Sequence, residues 1–483
     1  MTHQRRKTTL HHIGLMFLIS AMLLLNGCAS PTQHVETPST KTATSAPDPT
    51  DTPEPTAAPT KENMPTQTEV PELSINAEDL EGIAVRFVHP WGGRADAVIE
   101  EIAQQFSLTN QWKIWVNVEA YGSEPALAAS LAADLEGGQI PELISVHPAQ
   151  LAALGDSVAP MDLLPYFDDP EWGFDAEAAG DISEVFLDPF RVEGSLTALP
   201  VAPQMTVLFY NQTWAEELGY DSPPMTGTAF RSQACEAAFA NLADEDQDND
   251  GTGGYVRDLD PKVLAGWYAA FGGELPAFEI PRFNTDAGRD AFGFLQDVDE
   301  EGCIWVKRQP EPYLYFASRY ALMYAGTLEQ IPAQTAWMEA AGSQDAWGIT
   351  AFPGPDGSRV VVDGPGLMIT AESPEQQLAA WLFAQHLLSP EAQAQLVQAL
   401  FTLPVRMSAL DDLDDFTETY PQWGQGVDLL NQAQPLPTSA AWELARWILQ
   451  DGITRLLNSE ESEVEEILSE VDAMILEFGD TVP

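Results

Sequence analysis

The first part of the chain alternates short apolar runs with segments of helical periodicity. Residues 83–88 and 143–146 are apolar runs of strand length, and residues 113–118 alternate apolar with polar positions. Between them, residues 94–106 and 127–138 place apolar side chains every four positions, as amphipathic helices do. This order of strands and helices with short connections predicts βαβ units and a mainly parallel sheet.

The later part of the chain predicts further strands and helices. Residues 205–210 form an apolar strand, residues 226–243 are rich in helix formers, and the last forty or so residues have helical periodicity. Two helices begin with Ser-Pro-Glu, at 373–375 and 389–391. The Ser is suited to cap the helix, the Pro to its first turn, and the Glu to its positive end.

Composition excludes several classes of protein. The 483 residues carry 21 Lys+Arg against 74 Asp+Glu, a formal charge of −53, which disfavours nucleic acid and anionic lipid as partners. With 45% hydrophobic residues the chain can bury a large core, and the length predicts two or three domains. Three Cys are too few for a Cys-rich zinc site, and the seven His show no metal-ligand spacing. We therefore expect no metal or other cofactor.

The N-terminus has the features of a secretion signal. Residues 5–7 are basic, and the apolar run 13–25 is too short to span a bilayer. It ends in Leu25-Asn26-Gly27-Cys28, which resembles the lipobox of bacterial lipoproteins although a small residue is usual in place of Asn26. Residues 1–28 are thus a predicted lipoprotein signal peptide with Cys28 as the lipidated residue. An ordinary secretory signal with an unrelated Cys is the alternative.

Residues 29–74 are rich in Pro, Thr and Ser and lack an apolar period. Such a composition predicts a disordered stalk with local polyproline II structure, which would hold the folded part away from the membrane. O-glycosylation of this stalk is compatible with the prediction.

The order of several motifs resembles the sugar-binding extracellular solute-binding proteins of ABC importers, the family that includes maltose-binding protein. Residues 134–148 resemble the family's glycine-to-proline strand motif, with Glu142 where Asp is usual. The other matching stretches are 199–224, 321–326, 347–369 and 373–406. The match extends over about 400 residues, but the motif that follows Pro224 is degraded.

The resemblance implies an α/β fold of the periplasmic-binding-protein type, class II, with two lobes joined by hinge strands. Each lobe would contain a mainly parallel sheet flanked by helices, and a ligand would bind in the cleft between them. The implied first lobe comprises residues 75–200 and 366–404, and the second lobe 201–365 and 405–483. The implied hinges lie at 200–205, 364–367 and 403–407.

Ten residues are candidates for ligand binding, because sugars bind aromatic faces and polar side chains. They are Trp91, His147, Gln204, Trp267, Tyr268, Gly326, Thr327, Asp363, Trp442 and Arg446. Trp91 and His147 follow predicted strands, and the resemblance implies a hinge position for Gln204 and an aromatic platform for Trp442. The alternatives are a surface anchor for Trp91, a loop histidine for His147, a helix core for Trp267 and Tyr268, and a surface ion pair for Arg446.

Two further groups of residues suggest local structure. Asp246, Asp248 and Asp250 have the spacing of an EF-hand loop, but Arg257 replaces the bidentate Glu, so the favoured interpretation is a solvated acidic loop, with a calcium site as the alternative. Cys235 and Cys303 are the two cysteines that remain when Cys28 is lipidated. We expect them to form a disulfide outside the cell.

The sequence contains no motif of a hydrolase, a nucleotide-binding enzyme or a zinc protease. The family resemblance and the lipobox together imply a monomeric, lipid-anchored protein at the outer face of the cytoplasmic membrane, not an enzyme. It would capture a sugar or oligosaccharide and deliver it to an ABC transporter permease. A secreted carbohydrate-degrading lipoprotein and a ligand-binding sensor partner are the alternatives.

Overall fold

The computed structural model describes residues 73–147, 150, 161–277, 279–459 and 462–479. The predicted signal peptide, Cys28 and nearly all of the predicted stalk lie outside the described residues. None of the helices in the described ranges combines the length and the apolar character needed to cross a bilayer.

The strands belong mainly to two separate sheets. In chain order they are β1 Ala84–His89, β2 Trp115–Ala120, β3 Leu143–Val146, β4 Arg191–Val192, β5 Ser195–Leu196, β6 Leu199–Pro200, β7 Gln204–Asn211, β8 Gly253–Val256, β9 Ile304–Trp305, β10 Ala321–Thr327, β11 Trp347–Thr350, β12 Phe352–Pro353, β13 Ser358–Asp363, β14 Gly366–Ile369 and β15 Ala433–Pro435. The first sheet has the order β2-β1-β3-β14-β6, and β4 pairs with β5 in a small ribbon. We call the first sheet with its helices the first lobe.

The first lobe has the predicted βαβ arrangement. Strand β1 pairs in parallel with both β2 and β3, whereas β14, which arrives much later in the chain, is antiparallel to β3 and β6. Because β1 to β3 run in the same direction, their carboxyl ends lie at one edge of the sheet. Residues that follow these strands are therefore brought close together.

The second sheet, which defines the second lobe, is mixed rather than mainly parallel. Its order is β12-β13-β7-β10-β8-β9, with β11 beside β7 and β15 beside β13. The long strand β7 is antiparallel to β10, β11 and β13, and the parallel pairs are β10 with β8, β8 with β9 and β13 with β15. The prediction of two α/β lobes is confirmed, with this correction for the second sheet.

The helices include the two that begin with Ser-Pro-Glu, and both of these have the predicted serine cap. In chain order the helices are α1 Arg94–Thr109, α2 Glu124–Gly137, α3 Leu164–Phe167, α4 Ala176–Gly180, α5 Glu184–Leu187, α6 Gln212–Glu217, α7 Gly227–Ala243, α8 Pro261–Ala270, α9 Asp286–Glu300, α10 Tyr313–Ala317, α11 Ile331–Ala341, α12 Pro374–Leu387, α13 Pro390–Leu400, α14 Asp414–Thr419, α15 Pro421–Asp428, α16 Ala440–Leu457 and α17 Val464–Gly479. The hydroxyls of Ser373 and Ser389 accept hydrogen bonds from the N–H groups of Gln376 and Ala392. Each cap satisfies a helix N–H and stabilises the fold by about 1 kcal/mol.

Three crossings connect the lobes and run side by side. The chain passes from β6 to β7 at residues 201–203, returns from β13 to β14 at 364–365, and crosses again after α13. Val201 N–H donates to Pro365 O, and Leu403 N–H donates to Pro203 O. Arg406 forms a 2.6 Å ion pair with Asp181 of the first lobe. Hydrogen bonds therefore tie each crossing to its neighbour.

A buried histidine ends β1. His89 is fully buried, and neither of its ring nitrogens has a hydrogen-bond partner among the described residues. Its Nε2 lies 3.7 Å from Oδ1 of Asp96. Burial nevertheless lowers the pKa of His89 to about 4. The folded protein thus favours the neutral ring.

The buried ring makes stability depend on pH. The unfolded chain takes up the proton near pH 6.5, whereas the folded chain does so only near pH 4, so this stabilisation is present above pH 6.5 and is lost as pH falls. We expect the contribution of His89 to the free energy of unfolding to fall by about 2 kcal/mol between pH 7 and pH 5. Urea unfolding at both pH values should show a smaller decrease for His89→Leu than for the wild type. Equal decreases would contradict this prediction.

Candidate functional site

A cavity lies between the two lobes, beside the first two crossings. It contains about 840 Å³ of space, including the part that is open to solvent. The first lobe contributes Glu124, His147, Gln150, Val185, Phe186, Pro189, Phe190 and Pro200, and the second lobe and the crossings contribute Pro203, Lys262, Val362, Asp363, Gly364, Pro365, Leu436, Pro437, Thr438, Trp442, Glu443 and Arg446. A ligand in this cavity would contact both lobes.

On the first lobe, the cavity wall contains a histidine–carboxylate pair. His147 follows β3, and Glu124 opens α2 just after β2, so both lie at the carboxyl edge of the first sheet. His147 Nε2 lies 3.4 Å from Glu124 Oε1, and Gln150 Nε2 donates to Glu124 Oε2 at 2.9 Å. The hydrogen bond with His147 is the main cause that lowers the pKa of Glu124, to about 2. Glu124 is therefore a carboxylate at neutral pH.

On the second lobe, Lys262 and Asp363 form an ion pair at the cavity. Asp363 ends β13, Lys262 lies in the first turn of α8, and Lys262 Nζ is 2.6 Å from Asp363 Oδ2. Burial disfavours the charged ammonium, but the Asp363 carboxylate outweighs this effect and raises the pKa of Lys262. Lys262 is therefore an ammonium group that already has a carboxylate partner.

Helix α16 brings an aromatic ring and a second ion pair to the wall. Trp442 is only 2% exposed, because most of its ring packs in the core of the second lobe and only a small part reaches the cavity. Arg446 and Glu443, one turn apart, form an ion pair beside it. Ser439 caps this helix by accepting from the N–H of Trp442, which fixes the start of the helix at the cavity.

The ionisable side chains of the wall lie in three pairs. Lys262 pairs with Asp363, Arg446 with Glu443, and His147 with Glu124. Each pair offers hydrogen-bond donors and acceptors side by side, which suits hydroxyl groups because a hydroxyl both donates and accepts. Neither Lys262 nor Arg446 is an unpaired cation that would attract an anion.

Four of the ten candidate residues line the cavity: His147, Asp363, Trp442 and Arg446. Gln204 does not line it, but it pairs with Asp363 across β7 and β13. Its Nε2 donates to Glu329 Oε2 at 2.9 Å. Desolvation raises the pKa of Glu329, against the opposing charge of Lys262. Gln204 and Glu329 thus lie beside the Lys262–Asp363 pair.

Trp267 and Tyr268 do not reach the cavity, which corrects the prediction that they form a wall. Trp267 is fully buried, and Tyr268 is 2% exposed and donates its hydroxyl to Arg282 O. A Cβ on Gly273 would lie 2.4 Å from the Tyr268 ring, so this glycine permits the chain to close over the tyrosine. Both rings belong to the core of the second lobe.

Trp91, Gly326 and Thr327 also lie outside the cavity lining. Trp91 packs against the core of the first lobe, with its ring centroid 5.5 Å from that of His89. Gly326 and Thr327 end β10, and a Cβ on Gly326 would lie 2.1 Å from Gln330 Oε1. The close approach at Gly326 is therefore made by a neighbouring side chain.

Sequence reasoning missed Glu124, Gln150, Lys262 and Glu443 at the cavity. Two signals could have found some of them. Glu124 shortly follows residues 120–122, which end a strand at the same sheet edge as His147. Lys262 is one of only 21 basic residues in the chain, and a rare cation beside acidic residues is a candidate for pairing.

The two cysteines form the predicted disulfide, whereas the three loop aspartates are not brought together. Cys235 and Cys303 are bonded, with a Cα–Cα distance of 4.5 Å. In the acidic loop, Asp244 and Asp246 accept hydrogen bonds from the N–H groups of Asp246 and Asp248. Among the described residues, no three acidic side chains of this loop place their ligand atoms within 4.8 Å of one another. The structure therefore does not bring Asp246, Asp248 and Asp250 together as metal ligands.

Comparison with known proteins gives one family and many similar folds. The model of the family described as "Bacterial extracellular solute-binding protein" matches residues 101–425. No curated protein matches the sequence. The structure is similar to the cyclic α-maltosyl-1,6-maltose binding protein of Arthrobacter globiformis, with a TM-score of 0.69 and 16% identity over 81% of this chain and 98% of that one.

Two other solved structures show the same fold. The sugar-binding protein MalE of Xanthomonas citri has a TM-score of 0.68 and 18% identity, over 82% of this chain and 98% of that one. UgpB of Mycobacterium tuberculosis, solved with glycerophosphocholine, has a TM-score of 0.65 and 18% identity over the same shares. At these identities the likeness establishes the two-lobe fold alone.

Proposed function

The chain belongs to the bacterial extracellular solute-binding proteins, and on that premise we propose that it binds a sugar or oligosaccharide in the cavity between its lobes. Membership of this family makes it a binding protein and not an enzyme. The observation that carries the sugar proposal is the cavity wall, in which the ionic groups are paired beside the ring of Trp442. An aromatic ring binds the apolar face of a sugar, and paired polar groups bind its hydroxyls.

The paired charges favour a neutral ligand over an anionic one. Phosphate sites use cationic side chains or free backbone N–H groups to match the ligand's charge. At this cavity both Lys262 and Arg446 already have a carboxylate partner. A phosphodiester would have to displace Asp363 or Glu443, whereas a sugar hydroxyl can join either pair without separating it.

Binding would be coupled to the relative position of the lobes. The wall includes His147 and Glu124 from the first lobe and Asp363 and Trp442 from the second. A ligand makes all of these contacts only when the lobes are close together, so it would shift an equilibrium between open and closed forms. The crossings at 201–203, 364–365 and 403–407 are the proposed hinges of this movement.

We further propose that the protein is anchored by lipid on Cys28 and delivers its ligand to an ABC transporter permease. The supporting sequence is Leu25-Asn26-Gly27-Cys28, followed by the Pro- and Thr-rich stalk. A diacylated Cys binds membranes stably. Cys28→Ser should release the protein from the membrane fraction and abolish its labelling by an alkyne-tagged fatty acid. Membrane retention of this variant would contradict the lipid anchor.

The sugar proposal is tested by thermal unfolding of the full chain with mono-, di- and oligosaccharides. Amino acids, polyamines and glycerophosphocholine serve as controls. A ligand at about 100 times its dissociation constant should add about 2.7 kcal/mol to the free energy of unfolding. We expect a stabilising shift with one class of sugar, and the sugar should be recovered unchanged. A response only to a control compound would overturn the sugar proposal and leave the solute-binding role intact.

A further inference from the structure

One exposed tryptophan lies beside the cavity without belonging to its lining. Helix α16 packs Trp442, Ala445 and Leu449 into the core of the second lobe, whereas Trp447 is 52% exposed. Indole rings contribute large apolar areas when they are buried, so a half-exposed Trp leaves apolar surface that the fold itself does not use.

Trp447 is a neighbour of two residues that line the cavity. The Cζ atom of Arg446 lies 5.0 Å from the centre of the Trp447 ring, a cation–π distance. Glu443 precedes Trp447 by four residues and therefore lies one helical turn away on the same face. Arg446 and Glu443 both line the cavity, so Trp447 lies directly beside the cavity wall on α16.

This arrangement has the chemistry of a saccharide subsite. The exposed part of the indole offers an apolar surface for the C–H face of a sugar ring. The adjacent Glu443 and Arg446 side chains, 32% and 22% exposed, offer an acceptor and donors for its hydroxyls. A saccharide unit in the cavity and a second unit over Trp447 would contact the same ion pair from two sides.

We propose that Trp447 forms an outer subsite, so that the ligand is an oligosaccharide that extends out of the cavity along α16. This inference rests on the proposed sugar binding and makes it more specific. It assigns selectivity for chain length to Trp447, whereas the residues of the cavity bind the inner unit of every sugar in the series.

The test measures affinity by titration calorimetry on the full chain. The probes are oligomers of one to six units from the sugar class that stabilises the protein, beginning with α-1,4-linked glucose. We expect Trp447→Ala to weaken binding of the longer oligomers by about tenfold and to leave the shortest ligand unchanged. Trp447→Phe keeps an aromatic face and should retain most of the affinity for long oligomers.

Trp115→Ala is the matched control. Trp115 is 54% exposed, similar to Trp447, but it lies on β2 of the first lobe and is not a cavity-lining residue. Its replacement should leave every affinity unchanged. An equal effect of Trp447→Ala on all chain lengths, or no effect on any, would overturn the outer subsite while sugar binding stands. If no sugar binds, the proposed function fails and the outer subsite fails with it.

Discussion

Replacing Trp442 with leucine is expected to weaken binding of the sugar by about tenfold, or roughly 1.4 kcal/mol. Leucine preserves apolar volume but removes the flat ring, of which a small part reaches the cavity from α16. The loss is that of one partial aromatic contact, because most of the ring packs in the core of the second lobe. Calorimetric titration with the sugar that stabilises the wild type measures the effect. Trp442→Phe, which keeps a ring, should lose less affinity.

The control must separate lost binding from lost stability, because Trp442 also belongs to the core. Trp214 lies in the same core cluster, is 5% exposed and does not line the cavity. Trp214→Leu should therefore lower the melting temperature as Trp442→Leu does but leave the affinity unchanged. Comparable affinity losses in the two variants would show that Trp442 acts only through packing.

Much of the fold could be predicted from the sequence because its signals are local. Ser373 and Ser389 cap their helices as predicted, and the strand at 143–146 has the predicted bounds. The mixed second sheet could not be predicted in this way. Strand β7 is antiparallel to β10, β11 and β13, which follow it by more than 100 residues. A local sequence pattern does not indicate which distant strands will pair.

The site was predictable only in part, because a tryptophan in a core and one at a cavity have similar sequence surroundings. Trp267 precedes Gly272-Gly273, as a loop residue at a cleft would, yet α8 is buried from Val263 to Ala270. His147 was predictable because it follows the end of a strand, and Asp363 because it directly precedes the implied hinge at 364–367. Lys262 was missed because its role depends on Asp363, about 100 residues later, coming within 2.6 Å.

Loss of the Cys235–Cys303 disulfide is expected to lower the free energy of unfolding by roughly 4 kcal/mol. The bond closes a loop of 68 residues and joins α7 to the residue before β9. A Cβ on Gly254 would lie 2.0 Å from Cys303 O, so this glycine lets β8 approach Cys303 closely. Since the folded chain already places the two cysteines together, the bond acts mainly by restricting the unfolded chain.

The double variant Cys235→Ala/Cys303→Ala tests this expectation in urea unfolding. Reduction of the wild type should cause nearly the same decrease in unfolding free energy, whereas reductant should have no effect on the variant, whose remaining cysteine has no intramolecular partner. Because neither Cys235 nor Cys303 lines the cavity, sugar affinity should be unchanged well below the unfolding midpoint. A wild type that is insensitive to reductant would show that the bond does not form or does not stabilise the second lobe.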